Sequence, residues 1–119
     1  MSDITRIETN NRMSRVVITN GLVYLGGLTA GDATQDIKGQ TQQVLDKIDS
    51  YLAKAGVDKT RLVSAQIWLA NIERDFAGMN EVWDSWVPEG QAPIRATGES
   101  KLARNDLLVE IIITAKAND

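Results

Sequence analysis

Apolar residues along the chain alternate between a β period and a helical period, and this pattern predicts the elements. Two β-prone runs, Ser14–Thr19 and Leu22–Leu25, are joined by Asn20-Gly21. An Asn-Gly pair between such runs is the strongest short signal of a β-hairpin, because both residues must adopt positive φ. A shorter strand is expected over residues 5–8. Gly26-Gly27 then ends the hairpin, where the backbone either turns or approaches another group closely.

Two helices are predicted from apolar residues that recur at three- and four-residue spacings. The first is expected to cover residues 34–55, with Gly56 directly after it as the residue that stops the helix. The second, about 12 residues long, is expected to be capped by Asp75 and to end at Pro88. Its apolar stripe consists of Phe76, Met79, Val82, Trp83 and Trp86.

Between the helices, Leu62–Leu69 reads as a strand with alternating apolar residues. Its buried face is predicted to carry Val63, Ala65, Ile67 and Leu69.

The last strand, expected over residues 107–115, is apolar on both faces. The element order is β-β-α-β-α-β with an additional short strand at each end, which indicates a single α/β (α+β) domain over residues 1–119. Two helices cover only one face of such a sheet. The second apolar face therefore predicts coverage by another subunit, and so a homo-oligomer.

Composition narrows the function classes. The net charge is −3 and the basic residues are scattered, so nucleic acid is not an expected partner. No apolar run approaches the roughly 20 residues of a membrane helix, and no signal-peptide core is present, so a cytoplasmic location without membrane contact is expected. Because the chain has no cysteine and no histidine, thiol catalysis, side-chain imidazole catalysis and the usual zinc-water sites are excluded.

Two charged residues near the end of the chain are the strongest chemical signal. Arg95 ends an A-P-I-R segment, and Glu110 is a lone carboxylate in the apolar run 107–113. Burying an unpaired charge costs several kcal/mol, so Glu110 must reach water, a donor or a cation, and Arg95 is the nearest candidate cation. Such a pair can hold and hydrolyse a small carboxylate ligand. A surface arginine, or a structural ion pair at a subunit interface, is the alternative.

Four segments follow one another in a recognisable order: the N-G hairpin at Asn20, D-F-A-G-M-N ending at Asn80, A-P-I-R ending at Arg95, and V-E-I around Glu110. Together they resemble the Rid family, the reactive intermediate deaminases, also called the YjgF family. The resemblance covers nearly the whole chain. The W-D-S-W segment at residues 83–86 is similar to that of a YoaB-like branch.

This resemblance implies a chorismate-mutase-like (bacillus) fold. In that fold a mixed β-sheet carries two helices on one face and assembles into homotrimers with clefts between subunits. The implied activity is hydrolysis of small reactive enamines and imines, such as 2-aminoacrylate, to 2-keto acids and ammonia, with no cofactor and no metal.

Carried over position by position, the resemblance assigns six site residues. Arg95 would grip the substrate carboxylate and Glu110 would position the attacking water, while Asn80 and Gly27 would line the cleft. Thr97 stands where many members have cysteine. Met13 stands where many have tyrosine, which removes a hydroxyl that can hydrogen-bond. Asn80 in a helix and Gly27 at a strand end also have ordinary structural explanations.

Two further functions remain as alternatives. A non-catalytic protein could use the same cleft to bind or sense a keto acid or another small carboxylate. A ribonuclease role is disfavoured by the acidic charge balance and the missing histidine. A base-stacking role for Trp68, Trp83 and Trp86 is disfavoured too, since Trp83 and Trp86 lie three residues apart on one helix and are expected to pack against the sheet.

Overall fold

A computed structural model describes residues 3–118, and Met1, Ser2 and Asp119, the ends of the predicted domain, lie outside the described residues. Six strands and two α-helices account for most of the chain. In chain order they are β1 (Thr5–Thr9), β2 (Ser14–Thr19), β3 (Leu22–Leu25), α1 (Ile37–Lys54), β4 (Leu62–Leu69), α2 (Ile72–Trp86), β5 (Ile94–Glu99) and β6 (Val109–Lys116).

The strands form one mixed sheet in the order β1-β2-β3-β6-β4-β5. Neighbouring strands are antiparallel except β4 and β5, which are parallel and are joined by α2. A parallel pair needs a long crossover connection, and α2 supplies it. The mixed sheet with two helices is therefore confirmed. One additional strand, β1, comes first as expected, whereas β5 lies between α2 and the last strand rather than at the end of the chain.

Local signals place the hairpin and α1. Asn20 and Gly21 have φ values of 52° and 77°, which is the backbone that the Asn-Gly turn requires. The first helix is three residues shorter at its start than predicted, because the Asp36 side chain accepts a hydrogen bond from the Gly39 N–H (2.9 Å) and caps it. The structure also begins β6 at Val109, two residues later than predicted.

The prediction that Asp75 caps α2 is wrong. The Asn71 side chain accepts the Arg74 N–H at 3.1 Å, so the helix begins four residues earlier than expected. Asp75 is buried inside the helix, and its carboxylate accepts two hydrogen bonds from the Arg74 guanidinium, at 2.9 and 3.0 Å.

Both helices pack on one face of the sheet. On β6, Val109, Ile111, Ile113 and Ala115 alternate toward this face and are buried. On β4 the buried residues are Leu62, Ala65, Ile67 and Leu69. Val63 was predicted to be buried but is 42% exposed, since a register shift between Leu62 and Ser64 leaves it outside the pairing.

Among residues 3–118 of the single chain, no helix lies over the opposite face. Glu110, Ile112 and Thr114 of β6 are half-buried there, in contrast to the buried residues between them. The oligomer that would cover this face stays a prediction. Within residues 3–118, neither helix has the length and apolar character needed to cross a membrane.

Candidate functional site

Arg95 lies on the edge strand β5, on the face of the sheet that carries the helices. It pairs with Ala65 in the parallel register, so both side chains point to the same face. Its guanidinium carbon lies 5.6 Å from the centre of the Trp83 ring and 6.0 Å from that of Phe76, both on α2. Over residues 3–118, the Arg95 side chain makes no ion pair and no hydrogen bond. It is therefore held by aromatic faces with its donors unused.

Two more predicted site residues lie beside Arg95. Thr97 follows two positions later on β5 and so shares its face. Asn80 lies on α2 between Phe76 and Trp83, one turn from each. Thr97 Oγ1 and Asn80 Oδ1 are both buried without a hydrogen-bond partner among the described residues. Buried polar atoms are rarely left unpaired, so these two are candidates for contact with a ligand.

Glu110 and Gly27 form a second group. Glu110 pairs with Trp68 on β4, and its side chain lies on the sheet face opposite the helices. A Cβ added at Gly27 would lie 2.5 Å from Glu110 Oε2 and 3.1 Å from its Cδ. Of the two outcomes expected at Gly26-Gly27, a turn or a close approach, the structure shows a close approach at Gly27, where the Glu110 carboxylate occupies the space that a larger residue would fill.

Met13 belongs to this second group through Gly26. A Cβ added at Gly26 would lie 3.1 Å from the Met13 terminal methyl group, so the thioether side chain packs against the backbone next to Gly27. Met13 stands just before β2, and Gly26 just after β3. Met13, Gly27 and Glu110 therefore gather where the hairpin meets β6.

The six predicted residues thus fall into two groups of three, all of them half-buried. We call Asn80, Arg95 and Thr97 the arginine group, and Met13, Gly27 and Glu110 the glutamate group. Within one chain, Arg95 is not the cation that neutralises Glu110. Ala65 and Trp68, their partners on β4, are three residues apart and point to opposite faces, so the two charges lie on opposite sides of the sheet.

The surroundings of β5 are accessible to small molecules. A cavity of about 220 Å³ lies along the first half of the strand, lined by Ser64, Ala65, Gln66, Ile94, Arg95 and Ala96. Ile94 at this edge is 75% exposed. Among the residues that the structure describes, no three acidic side chains are close enough together to hold a metal ion.

Comparison with known proteins decides the family. The family model described as "Endoribonuclease L-PSP" matches residues 3–117. The chain belongs to the Rid/YjgF family. A "RutC family protein" of Haemophilus ducreyi is 48% identical over 115 residues, 97% of each chain. "RutC family protein YoaB" of Escherichia coli is 40% identical over 112 residues, 94% of this chain and 96% of that one. The predicted family is therefore confirmed.

A solved Rid/YjgF structure agrees with the fold described above. A YjgF-family protein from Neisseria meningitidis superposes with a TM-score of 0.94 at 42% identity, covering 98% of this chain and 97% of that one. The α+β architecture of this Rid/YjgF chain is thus the one seen in a crystal structure of a relative.

Two aromatic residues near Arg95 were assigned only to the core by the sequence. Trp83 is buried as predicted, and it also forms one wall for the guanidinium. Phe76 is 41% exposed, so it is not a core residue, and it forms a second wall. Their separation of seven residues, which places both on one stripe of α2, was the signal available for finding this pair.

Proposed function

We propose that this chain hydrolyses small carboxylate-bearing enamines and imines to 2-keto acids and ammonia, without a cofactor, in a cleft between subunits of a homotrimer. The observation that carries the proposal is the half-buried Arg95 guanidinium, which has unused donors beside two unpaired polar atoms. Family membership supports the same reaction class.

Arg95 suits a carboxylate ligand because its geometry is already restricted. The Phe76 and Trp83 rings lie near the guanidinium and limit its orientations. A planar guanidinium can then donate two parallel hydrogen bonds to a carboxylate, which a lysine ammonium cannot reproduce. In this proposal the neighbouring Thr97 hydroxyl and Asn80 side-chain carbonyl, which have no partner, hydrogen-bond the rest of a small polar ligand.

Glu110 suits the activation of water. In the proposed reaction, water adds to the C=N carbon of the iminium, and its two protons pass to nitrogen as that bond breaks, giving the C=O group and ammonium. A carboxylate that accepts the first proton acts as general base, an effect typically worth about 10² to 10⁴ in rate. The substrate carbon is already electrophilic, so positioning of water and ligand supplies much of the remaining acceleration.

Two subunits are needed because the arginine and glutamate groups lie on opposite faces of one sheet. We propose that the edge strand β5 of one subunit faces the hairpin of its neighbour, so that the two groups meet across the interface. The exposed Ile94 at that edge and the half-buried open face of β6 are surfaces that such an assembly would cover.

The test measures ammonia and keto-acid release from imines generated in situ by an amino-acid oxidase. Wild type is compared with Arg95→Lys, Glu110→Gln and the control Arg6→Lys, which changes an exposed arginine on β1. Loss of two charge-assisted hydrogen bonds predicts a fall in kcat/KM of about 100-fold for Arg95→Lys. The control should retain wild-type activity.

The same protein samples discriminate the alternatives. Tight keto-acid binding by calorimetry, with no turnover of any imine, would favour a sensor of small carboxylates. Cleavage of RNA by wild type that is abolished in Arg95→Lys would favour a ribonuclease instead. Acceleration that survives both Arg95→Lys and Glu110→Gln would refute the assigned roles.

A further inference from the structure

A second cavity lies farther along β5, between that strand and the beginning of α2. It is an open trough of about 400 Å³ lined by Ile72, Glu73, Phe76 and Thr97. Phe76 links it to the arginine group, because the same ring also faces the Arg95 guanidinium. A ligand bound to Arg95 would therefore have room to extend over Phe76 toward Glu73.

Charges of opposite sign lie near the two ends of this trough. Arg95, Thr97 and Glu99 occupy every second position of β5 and so share one face of the sheet. Four residues of strand separate the Cα atoms of Arg95 and Glu99 by about 13 Å. Glu99 Oε1 accepts a hydrogen bond from the Ile72 N–H at 3.1 Å, so its carboxylate is held at the beginning of α2. Glu73 and Phe76 line the trough itself, the Arg95 guanidinium lies next to it on the far side of the Phe76 ring, and the Glu99 carboxylate lies beside it at Ile72.

The acidic end is not neutralised by its neighbours. Arg74 is adjacent in sequence, but its Nε and Nη2 both donate to the buried Asp75 carboxylate, which pairs its charge. Within the part of the chain that the structure describes, neither Glu73 nor Glu99 takes part in an ion pair. Both carboxylates are therefore available to a ligand cation.

We infer that Glu73, assisted by Glu99, makes this site selective for 2-imino acids whose side chain ends in a cation, of which the arginine-derived imine is the test case. The inference rests on the proposed imine hydrolysis. The substrate carboxylate binds Arg95, its methylene groups lie over Phe76, and its terminal guanidinium meets Glu73. An acidic side chain would instead be repelled at that end of the trough.

The experiment compares imines of three amino acids whose unbranched side chains end in a cation, an apolar group and an anion: arginine, methionine and glutamate. Lysine and ornithine are avoided because their terminal amines attack the imino carbon within the same molecule. The measured quantity is the kcat/KM ratio of the arginine-derived to the methionine-derived imine, in wild type, in Glu73→Gln and in Glu81→Gln. Glu81 is the matched control, an exposed glutamate on the same helix that is paired with Lys38.

Wild type is expected to prefer the arginine-derived imine over the methionine-derived one, and the glutamate-derived imine is expected to be the poorest. Glu73→Gln should lower the arginine-to-methionine ratio by about fivefold, the factor that one exposed ion pair can contribute. Glu81→Gln should leave the ratio unchanged. The wild-type preference should also decrease with added salt, since exposed charges are screened.

Hydrolysis of all three imines with equal efficiency, or a ratio that Glu73→Gln does not change, would overturn the inference and leave the proposed function standing. Failure of wild type to hydrolyse any of the imines would overturn both. A Glu73→Lys variant that comes to prefer the glutamate-derived imine would add support, because the charge at residue 73 would then decide which substrate side chain is favoured.

Discussion

Replacing Gly27 with alanine tests whether the position of the Glu110 carboxylate limits the reaction. The added Cβ would lie 2.5 Å from Glu110 Oε2, whereas ordinary contacts begin at 3.4 Å, so the carboxylate must move by about 0.9 Å. A displacement of that size in a group that orients a reactant can cost about 10²-fold in rate. We therefore expect kcat/KM for imine hydrolysis to fall by about 100-fold, mainly through kcat.

The same change should affect stability little. The φ angle of Gly27 lies outside the left-handed region, so alanine can adopt its backbone conformation. The group that must yield is the end of a flexible side chain, not backbone. Alanine also restricts the unfolded chain more than glycine does, and this effect favours folding by about 0.4–1 kcal/mol. The free energy of unfolding in urea should therefore stay within about 1 kcal/mol of wild type.

Two controls sharpen the test. Gly31→Ala adds a Cβ whose nearest neighbour is Lys47 Nζ at 3.9 Å, so it should leave activity and stability unchanged. In a Glu110→Gln background the catalytic carboxylate is already absent, so adding Gly27→Ala should not lower kcat/KM further. The predicted role of the carboxylate position is refuted if kcat/KM of Gly27→Ala stays within about threefold of wild type. It is also refuted if Gly27→Ala lowers kcat/KM by the same factor in the Glu110→Gln background as in wild type.

Three further predictions concern stability and assembly. Gln40 is fully buried, donates to the carbonyl groups of Ala33, Gln35 and Asp106 and accepts the Leu108 N–H. Gln40→Leu should lower the free energy of unfolding in urea by about 2–4 kcal/mol, because several buried groups lose their hydrogen-bond partner. A loss below about 1 kcal/mol would mean that these hydrogen bonds contribute little to stability. Trp86→Phe removes the Nε1–H that donates to the Asp49 carboxylate at 3.1 and 3.2 Å. It should lower the free energy of unfolding by about 1 kcal/mol in the same assay, and this loss should disappear when Trp86→Phe is made in an Asp49→Ala background. Ile94→Lys places a charge at the exposed edge of β5 and should shift sedimentation toward the monomer, without lowering the thermal midpoint of the monomer. Wild type that sediments as a monomer at micromolar concentration would refute the predicted oligomer.

Features that depend on neighbouring residues in sequence were predictable from the chain alone. The hairpin at Asn20-Gly21 follows from the φ requirement of a two-residue turn, and α1 follows from its apolar stripe. The isolation of Glu110 in an apolar strand also marked it as a residue that needs an explanation. The motifs around Asn80, Arg95 and Glu110 pointed to the family, which the comparisons confirmed.

Competing local signals were resolved only by the folded chain. Asn71 and Asp75 are both residues that cap helices well, and the helix begins at the former because its side chain reaches the Arg74 N–H. Val63 has the period of a buried residue, yet the register shift beside it turns its side chain outward. Neither outcome follows from apolar spacing, since the first depends on which side chain reaches an unpaired N–H group and the second on how β4 pairs with β6.

The relation between the two charged residues was decided by tertiary structure alone. Sequence determined that Arg95 and Glu110 are unusual and that Glu110 lies in a strand, whereas the strand β5 that carries Arg95 was found only in the structure. Which face each side chain occupies depends on strand pairing across long sequence separations, and a slip of one residue would move it to the other face. The observed register places Arg95 beside the rings of α2 and Glu110 against Gly27 on the opposite side. Two charges that look like partners in the sequence are therefore separated by the sheet.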